Sequence, residues 1–466
     1  MKAFIVLISF LSFSPAFASN ACNALLSGDP IALSVHDLAK LRFELDLRKA
    51  QGLNDAVTRA LEQEYAKKQS EILSVMDELM PPAELRDRIN QEIKRFQSER
   101  ESDAESGNIV REEQSQEIES VQNLISKWGD LLEGRSHFGS VSLSDDQVLV
   151  MGGSDQVSLP LKSIESLDLK TNRIEKWGNL LEARSDFGWE TLSTGQILIL
   201  GGQGRNGPLR SIELLDPKTK TVEKWGDLLE KRSCFGWTRL PGDRMLIFGG
   251  RGEQGELRSI EVLDLKTKTV KKWGDLLKGR DHFGWTILFD GRVLIFGGYG
   301  ESGPLRSIEV FDPKTKTVEK WGDLLEGRMS FGWTTLADGS VLIFGGFDNN
   351  GPNRLYRALR SIEILDPRTK SVERWGDLSE GRSQFGWKKL SDGRILICSG
   401  SGERGLISSV EVLDPQTKVS RKFGSLFISR FNSHLIRLPN DHILIVGGRD
   451  RGQSLSSIEK IQVGRQ

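Results

Sequence analysis

A unit of about 48 residues, WGDLLEKRSCFGWTRLPGDRMLIFGG at Trp225–Gly250, recurs with small edits from Trp128 almost to the C-terminus. Its arginine falls at Arg135, Arg184, Arg232, Arg280, Arg328, Arg382 and Arg430, so the intervals are 49, 48, 48, 48, 54 and 48 residues. A glycine pair keeps the same rhythm at Gly152, Gly201, Gly249, Gly297, Gly345 and Gly447, with Ser399-Gly400 in its place once. A fixed period of this length means stacked copies of one supersecondary unit, none of which can bury its apolar face alone. That excludes most folds before any single residue is weighed.

Within one unit, short β-branched and apolar runs bounded by Gly, Pro and Asp read as four strands. FGWTRL is the first, RMLIFGG the second, RSIEVLD the third and TVEKW the fourth. The glycine pair closes the second strand, where a sharp bend favours positive φ and no side chain. The seventh unit supplies three strands and then the chain ends, whereas Val121–Trp128 is a fourth strand with no unit of its own. Pairing the two would leave no interior edge open.

Four strands per unit, a Gly-Gly after the second and a Trp after the fourth resemble the kelch family of β-propellers. RSCFGW, LIFGG, SIEVLD and VEKWGDLL carry the resemblance, which covers residues 121–466. Phe-Gly-Trp after the arginine departs from the usual kelch pattern. The expected fold is mainly β: a seven-bladed kelch-like propeller with N-terminal strand closure, preceded by a small α-helical arm.

The stretch before the propeller reads in three parts. Residues 1–18, with one Lys, an apolar run and Ala16-Phe17-Ala18, have the form of a secretory signal cleaved after Ala18. The chain is therefore expected to be exported, periplasmic or extracellular, with no transmembrane segment. Lipidation at Cys22 is disfavoured by the polar Ser19-Asn20 before it. Residues 19–97 carry three apolar stripes at helical spacing, a small bundle or coiled-coil arm expected to pack, dock or oligomerise. Residues 98–120 are charged and nearly devoid of apolar side chains, which marks an acidic linker.

Charge divides along the same line. Residues 19–120 hold 13 Lys and Arg against 21 Asp and Glu, and residues 121–466 hold 50 against 44. A mild excess without clustering is not a nucleic-acid footprint. The three cysteines, Cys22, Cys234 and Cys398, occupy unmatched positions, which argues against a disulfide framework or a metal site. No cofactor is expected.

All eleven tryptophans fall at two repeat positions. A residue repeated at one place in every blade fills space between sheets rather than binding a ligand. The repeated Arg and the Glu of strand three are expected to form a buried or capping ion pair. Function should instead sit where the repeat breaks its rule. Two residues beyond each arginine the side chain changes every time: His137, Asp186, Cys234, His282, Ser330, Gln384 and Asn432, expected at the start of the innermost strands near the channel mouth. In kelch propellers the loops joining strands two and three share that face. The fifth of these loops carries a six-residue insertion with Asn353, Arg354, Tyr356 and Arg357, residue types that anchor interfaces.

These positions, with Tyr299, are the candidate ligand-binding set, and the expected function is protein recognition, with a carbohydrate as the second candidate ligand. Two enzyme readings stand beside it. A sugar-modifying, epimerase- or mutarotase-like kelch enzyme would use a carboxylate and an Arg, such as Asp186 with Arg184 or Glu253 with Arg251. A copper radical oxidase would need two Tyr, a Cys and two His. Tyr299, Tyr356, Cys234, His137 and His282 are the right types, but the histidines are expected across the ring and Cys234 and Tyr299 in non-adjacent blades.

Overall fold

The computed structural model describes Gln63, Lys67 and residues 124–349, 357–438 and 441–463. The secretory signal, helical arm, acidic linker and Cys22, with Asn353, Arg354 and Tyr356, lie outside the described residues apart from Gln63 and Lys67. The chain divides into two units, residues 1–112 and 113–466, and the second holds every blade.

Seven four-stranded antiparallel sheets form the blades. Blade four is representative, with strands Gly284–Ile287, Val293–Phe296, Ser307–Asp312 and Thr317–Asp323 paired in chain order. Blade seven takes its first three strands from the C-terminal end of the chain and its fourth from Ile125–Asp130. Ile125 faces Ile461 there, and Asp130 faces Ser457. The chain is a seven-bladed β-propeller closed by its own N-terminal strand.

The second strands carry the burial. Val293, Leu294, Ile295 and Phe296 are each 0 % exposed, because both faces of a blade are covered by neighbouring blades. The apolar clusters accordingly lie between blades. Leu131, Phe138, Val148 and Val150 of the first repeat meet Ile436, Leu444, Val446 and Ile458 of the seventh. The paired glycines adopt left-handed backbone, as at Gly297 (φ 61°) and Gly298 (φ 94°). A Cβ at Gly298 would lie 2.6 Å from the Asp281 carbonyl oxygen.

Each repeat arginine is 0 % exposed and meets the third-strand glutamate of its own blade, from Arg135 with Glu165 to Arg430 with Glu459. The expected ion pair is thus buried in all seven blades.

The tryptophans divide by location. Those of the outer strands sit in a register shift of the ladder, as between Ile308 and Glu309 opposite Trp321. Cations cover them, with Lys370 of the next blade 4.7 Å and Arg292 of the same blade 4.8 Å from the Trp321 ring centroid. Those of the first strands form a belt. Trp189, Trp237, Trp285, Trp333 and Trp387 follow one another at centroid distances of 5.4–6.3 Å. Trp237, Trp285 and Trp333 each donate from Nε1 to the backbone oxygen of the tryptophan before.

The belt breaks at blades seven and one, and the break is compensated. Blade one has Ser140 and blade seven Leu435 where the other five carry Trp. Blade seven also has His434 where the others carry Gly. Its imidazole fills the gap, 5.7 Å from Phe138 and 5.9 Å from Trp189. Burial, and secondarily the charge of Lys388, push its pKa down to about 4. The native state therefore resists protonation that the unfolded chain accepts near pH 6.5. Stability from this group is complete above that pH and lost as pH falls towards 4, by up to about 3 kcal/mol. Urea titrations of wild type and His434→Gln should show their stability difference shifting by that amount between pH 7 and pH 4, with the loss in the wild type.

Candidate functional site

The seven variable positions form one ring. Each lies in the bend two residues before its innermost strand rather than in the strand, which begins at the following glycine in blades one to six. All seven have left-handed backbone, with φ between 47° and 53°. This region costs a non-glycine residue of order 1 kcal/mol. What holds them there is mutual. The amide of Asp186 donates to the carbonyl of His137, Cys234 to Asp186, His282 to Cys234, Ser330 to His282, Gln384 to Ser330 and Asn432 to Gln384, at 2.9–3.4 Å. A side-chain contact closes the circle, Asn432 Nδ2 lying 2.6 Å from His137 Nε2. The backbone is fixed, and only the side chains differ from blade to blade.

The loops joining strands two and three rise on the same face. In blades two to seven they form two-stranded ribbons, and the first ribbon residue pairs with the residue preceding the ring position, as Gln203 does with Ser185 and Tyr299 with Asp281. Ring and loops thus make one continuous surface. In the inserted fifth loop, Phe347–Asp348 pairs with Arg357–Ala358. Arg357 is already engaged, donating to Glu326 at 2.6 Å and to Asp348 at 3.4 Å. Beside it a polar cavity of about 830 Å³ opens between blades five and six, lined by Arg360, Arg374, Glu380, Glu403 and Arg404 among others.

The ring contacts concentrate on one arc. His137 Nε2 lies 4.0 Å from Asp186 Oδ1, with both side chains about a quarter exposed. Cys234 and His282 occupy successive ring positions of blades three and four, joined by the backbone bond from the His282 amide to the Cys234 carbonyl at 3.4 Å. Burial pushes the Cys234 thiol up, against the pull of His282. The Cys234 sulfur, and the Asp281 carboxylate that accepts from His282 Nδ1 at 2.9 Å, hold the His282 pKa well above the usual imidazole range. Asp281 lies outside the candidate positions drawn from the repeat. It precedes the ring position, where Ser136, Ser185, Ser233 and Ser383 stand in other blades, and that departure is the signal that could have found it.

Neither carboxylate–arginine pair considered for sugar chemistry forms. Arg184 is fully buried on Glu213, out of reach of any ligand. Glu253 takes Lys231 at 2.6 Å, while Arg251 lies 4.0 Å from Glu256 and 3.8 Å from Asp281. Cys234 and Tyr299, expected in non-adjacent blades, belong to neighbouring blades three and four, their 65-residue separation in sequence being little more than one repeat. Even so, among the described residues no group of three or more His, Cys, Asp or Glu is placed to hold a metal ion.

On the opposite face one feature stands apart. Phe289, in the turn between the first two strands of blade four, is 90 % exposed. It borders a cavity of about 370 Å³ shared with Trp321, Arg292 and Lys370. Among the described residues no helix is long and apolar enough to cross a membrane.

The kelch motif model matches residues 287–320, which run from the end of the first strand of blade four into its fourth. No curated protein matches the chain. Among solved structures, a fungal alcohol oxidase of the AA5 family in complex with copper is similar in fold. The TM-score is 0.58 at 15 % identity, over 72 % of this chain and 75 % of that one. At that identity the likeness speaks for the propeller alone. The chain carries a kelch motif in blade four and folds as a seven-bladed β-propeller.

Proposed function

We propose that the chain is an exported interaction module that recognises a protein partner through the ring face. The observation that carries this is the ring itself: seven positions held backbone to backbone, carrying six different side-chain types of which only histidine recurs. A scaffold constant in its buried Arg–Glu pairs and variable at one surface suits recognition, in which a few anchors on a rigid frame set affinity. The described ends of the inserted fifth loop, Phe347–Asp348 and Arg357–Ala358, join that surface, and the Arg and Tyr of its sequence are residue types suited to anchoring a protein chain. The polar cavity beside it offers a carbohydrate the same hydrogen-bonding groups, as the second ligand class. Export rests on the N-terminal eighteen residues.

The test uses the full chain immobilised against native envelope extract, in four forms: wild type, residues 352–356 deleted, Asp186→Ala with Gln384→Ala, and Phe289→Ser on the opposite face. A stoichiometric partner should be retained by wild type and Phe289→Ser, with at least tenfold less held by the other two. Retention by the ring and loop variants but not by Phe289→Ser would overturn the reading, as would no retained protein from the wild type.

A further inference from the structure

We propose that the cavity between blades four and five, on the face opposite the ring, binds a small organic anion with a flat apolar body. This goes beyond the recognition reading and does not rest on it.

Blade four breaks the repeat twice at this place, and both breaks bring in a large apolar side chain. Ile287 stands where the other six blades carry Ser, Thr, Arg or Lys, and Phe289 where they carry Ser, Ala or Pro. Ile287 is 45 % exposed and Phe289 is 90 % exposed. A single exposed apolar side chain is ordinary, but these two line one cavity of about 370 Å³. That volume lies among pockets that take small molecules, about 300–1,000 Å³. Phe289 also reaches across to the next blade. A Cβ at Gly339 would lie 2.5 Å from Phe289 Cε2, whereas one at the matching Gly195 or Gly393 would meet nothing within 4 Å. The phenyl ring thus forms a rim that joins the two turns. Thr286 and Thr335, whose hydroxyl oxygens lie 3.0 Å apart, tie the same two blades together at this cavity.

The polar groups of the wall decide the charge of the ligand. Arg292 donates to Asp290 at 2.8 Å, and Arg368 donates to Asp366 at 2.9 Å. Lys370 has no carboxylate partner among the described residues and lies 4.7 Å from the Trp321 ring centroid. Trp321 is 7 % exposed, and its Nε1 meets no acceptor in the protein. A cation without a counter-charge and a buried donor without an acceptor are both costly, and one anionic group relieves both. A carboxylate or sulfonate supplies the charge for Lys370 and an acceptor for the indole. The aromatic and aliphatic wall of Phe289 and Ile287 suits a flat apolar body attached to it.

The experiment takes the full chain and two probes, 1-anilinonaphthalene-8-sulfonate and N-phenyl-1-naphthylamine, which lacks the sulfonate. Titration calorimetry should give one sulfonate probe bound per chain, with the neutral probe about tenfold weaker. Phe289→Ser and Ile287→Thr each restore a residue of other blades and should weaken the sulfonate probe about fivefold. Lys370→Gln should weaken the sulfonate probe by a similar factor and leave the neutral probe unchanged. Phe289 and Lys370 are exposed, so their replacement leaves the core intact, and retention of a partner by the ring face should be the same in all three variants. Equal affinity for the two probes, or equal affinity of wild type and all three variants for the sulfonate, would overturn the proposal. So would phosphatidylglycerol vesicles that sediment with wild type and not with Phe289→Ser, because the patch would then belong to a lipid surface.

Discussion

Replacing Arg280 with methionine should cost the propeller about 3–5 kcal/mol, the usual consequence of leaving a buried charge without its partner. The arginine is fully buried and donates from Nη1 to the carbonyls of Gly297 at 2.9 Å and Ser307 at 3.2 Å. Its Nη2 donates to Ser307 Oγ at 2.9 Å and to Glu309 Oε1. One side chain therefore joins the entry to blade four to the end of its second strand and to the start of its third. Glu309 passes the link on, its second oxygen accepting the amide of Leu277 at 2.8 Å in the connection from blade three. Burial lowers the guanidinium pKa and Glu309 opposes that, so the pair holds its charge only as a pair. Methionine keeps much of the volume and leaves the Glu309 carboxylate, the Gly297 carbonyl and the Ser307 hydroxyl without the guanidinium, while the Ser307 carbonyl keeps the Gly297 amide. Urea unfolding should show the loss, and Arg280→Met with Glu309→Leu should recover a large part of it, because the orphaned charge is then gone. A single substitution costing less than 1 kcal/mol would show that water reaches the site.

The same network explains how much is legible in the sequence. Period, strand count and the missing fourth strand of the last repeat are properties of the chain alone, and they specify seven blades with a borrowed closing strand. The Arg and Glu recur in step, so their pairing follows from equal spacing. The ring positions are legible as the one place where the repeat refuses to repeat. What escapes is contact between side chains of different blades. Asp281 acquires meaning only once His282 is seen to turn its Nδ1 towards it. His434 and Ser140 lie 294 residues apart, and each looks like drift until the ring brings glycine and tryptophan positions of adjacent blades together. Cys234 and Tyr299 are nearer than their separation along the chain suggests, because what sets distance around a propeller is the number of repeats between two residues. Register shifts at the outer tryptophans are equally hidden, since a bulge is a property of two strands and the pattern of one does not announce it.

Removing the closing strand should be the most damaging change of all, about 5 kcal/mol or more, together with a change in association state. Deleting residues 124–130 from the full chain takes Ile125 from the cluster between blades six and seven and Trp128 from the cluster between blades seven and one. Burying an Ile or comparable side chain contributes about 2–3 kcal/mol, and the ladder to Ser457–Gln462 and the ring-wide rigidity go with it. The deletion also bares an edge, SIEKIQ, whose backbone groups would lie open to another chain. The truncated protein should therefore show both a lower urea midpoint and concentration-dependent light scattering. A peptide spanning residues 121–131, added in excess, should restore monodispersity and raise the midpoint, because it binds only the folded state and stabilises by mass action. The peptide arm separates closure from mere loss of apolar residues: a scrambled peptide of the same composition should restore neither. A truncated chain that stays monomeric with an unchanged midpoint would mean that six complete blades and one three-stranded blade hold the ring without the seam, and that the N-terminal strand is an ornament of the fold rather than its clasp.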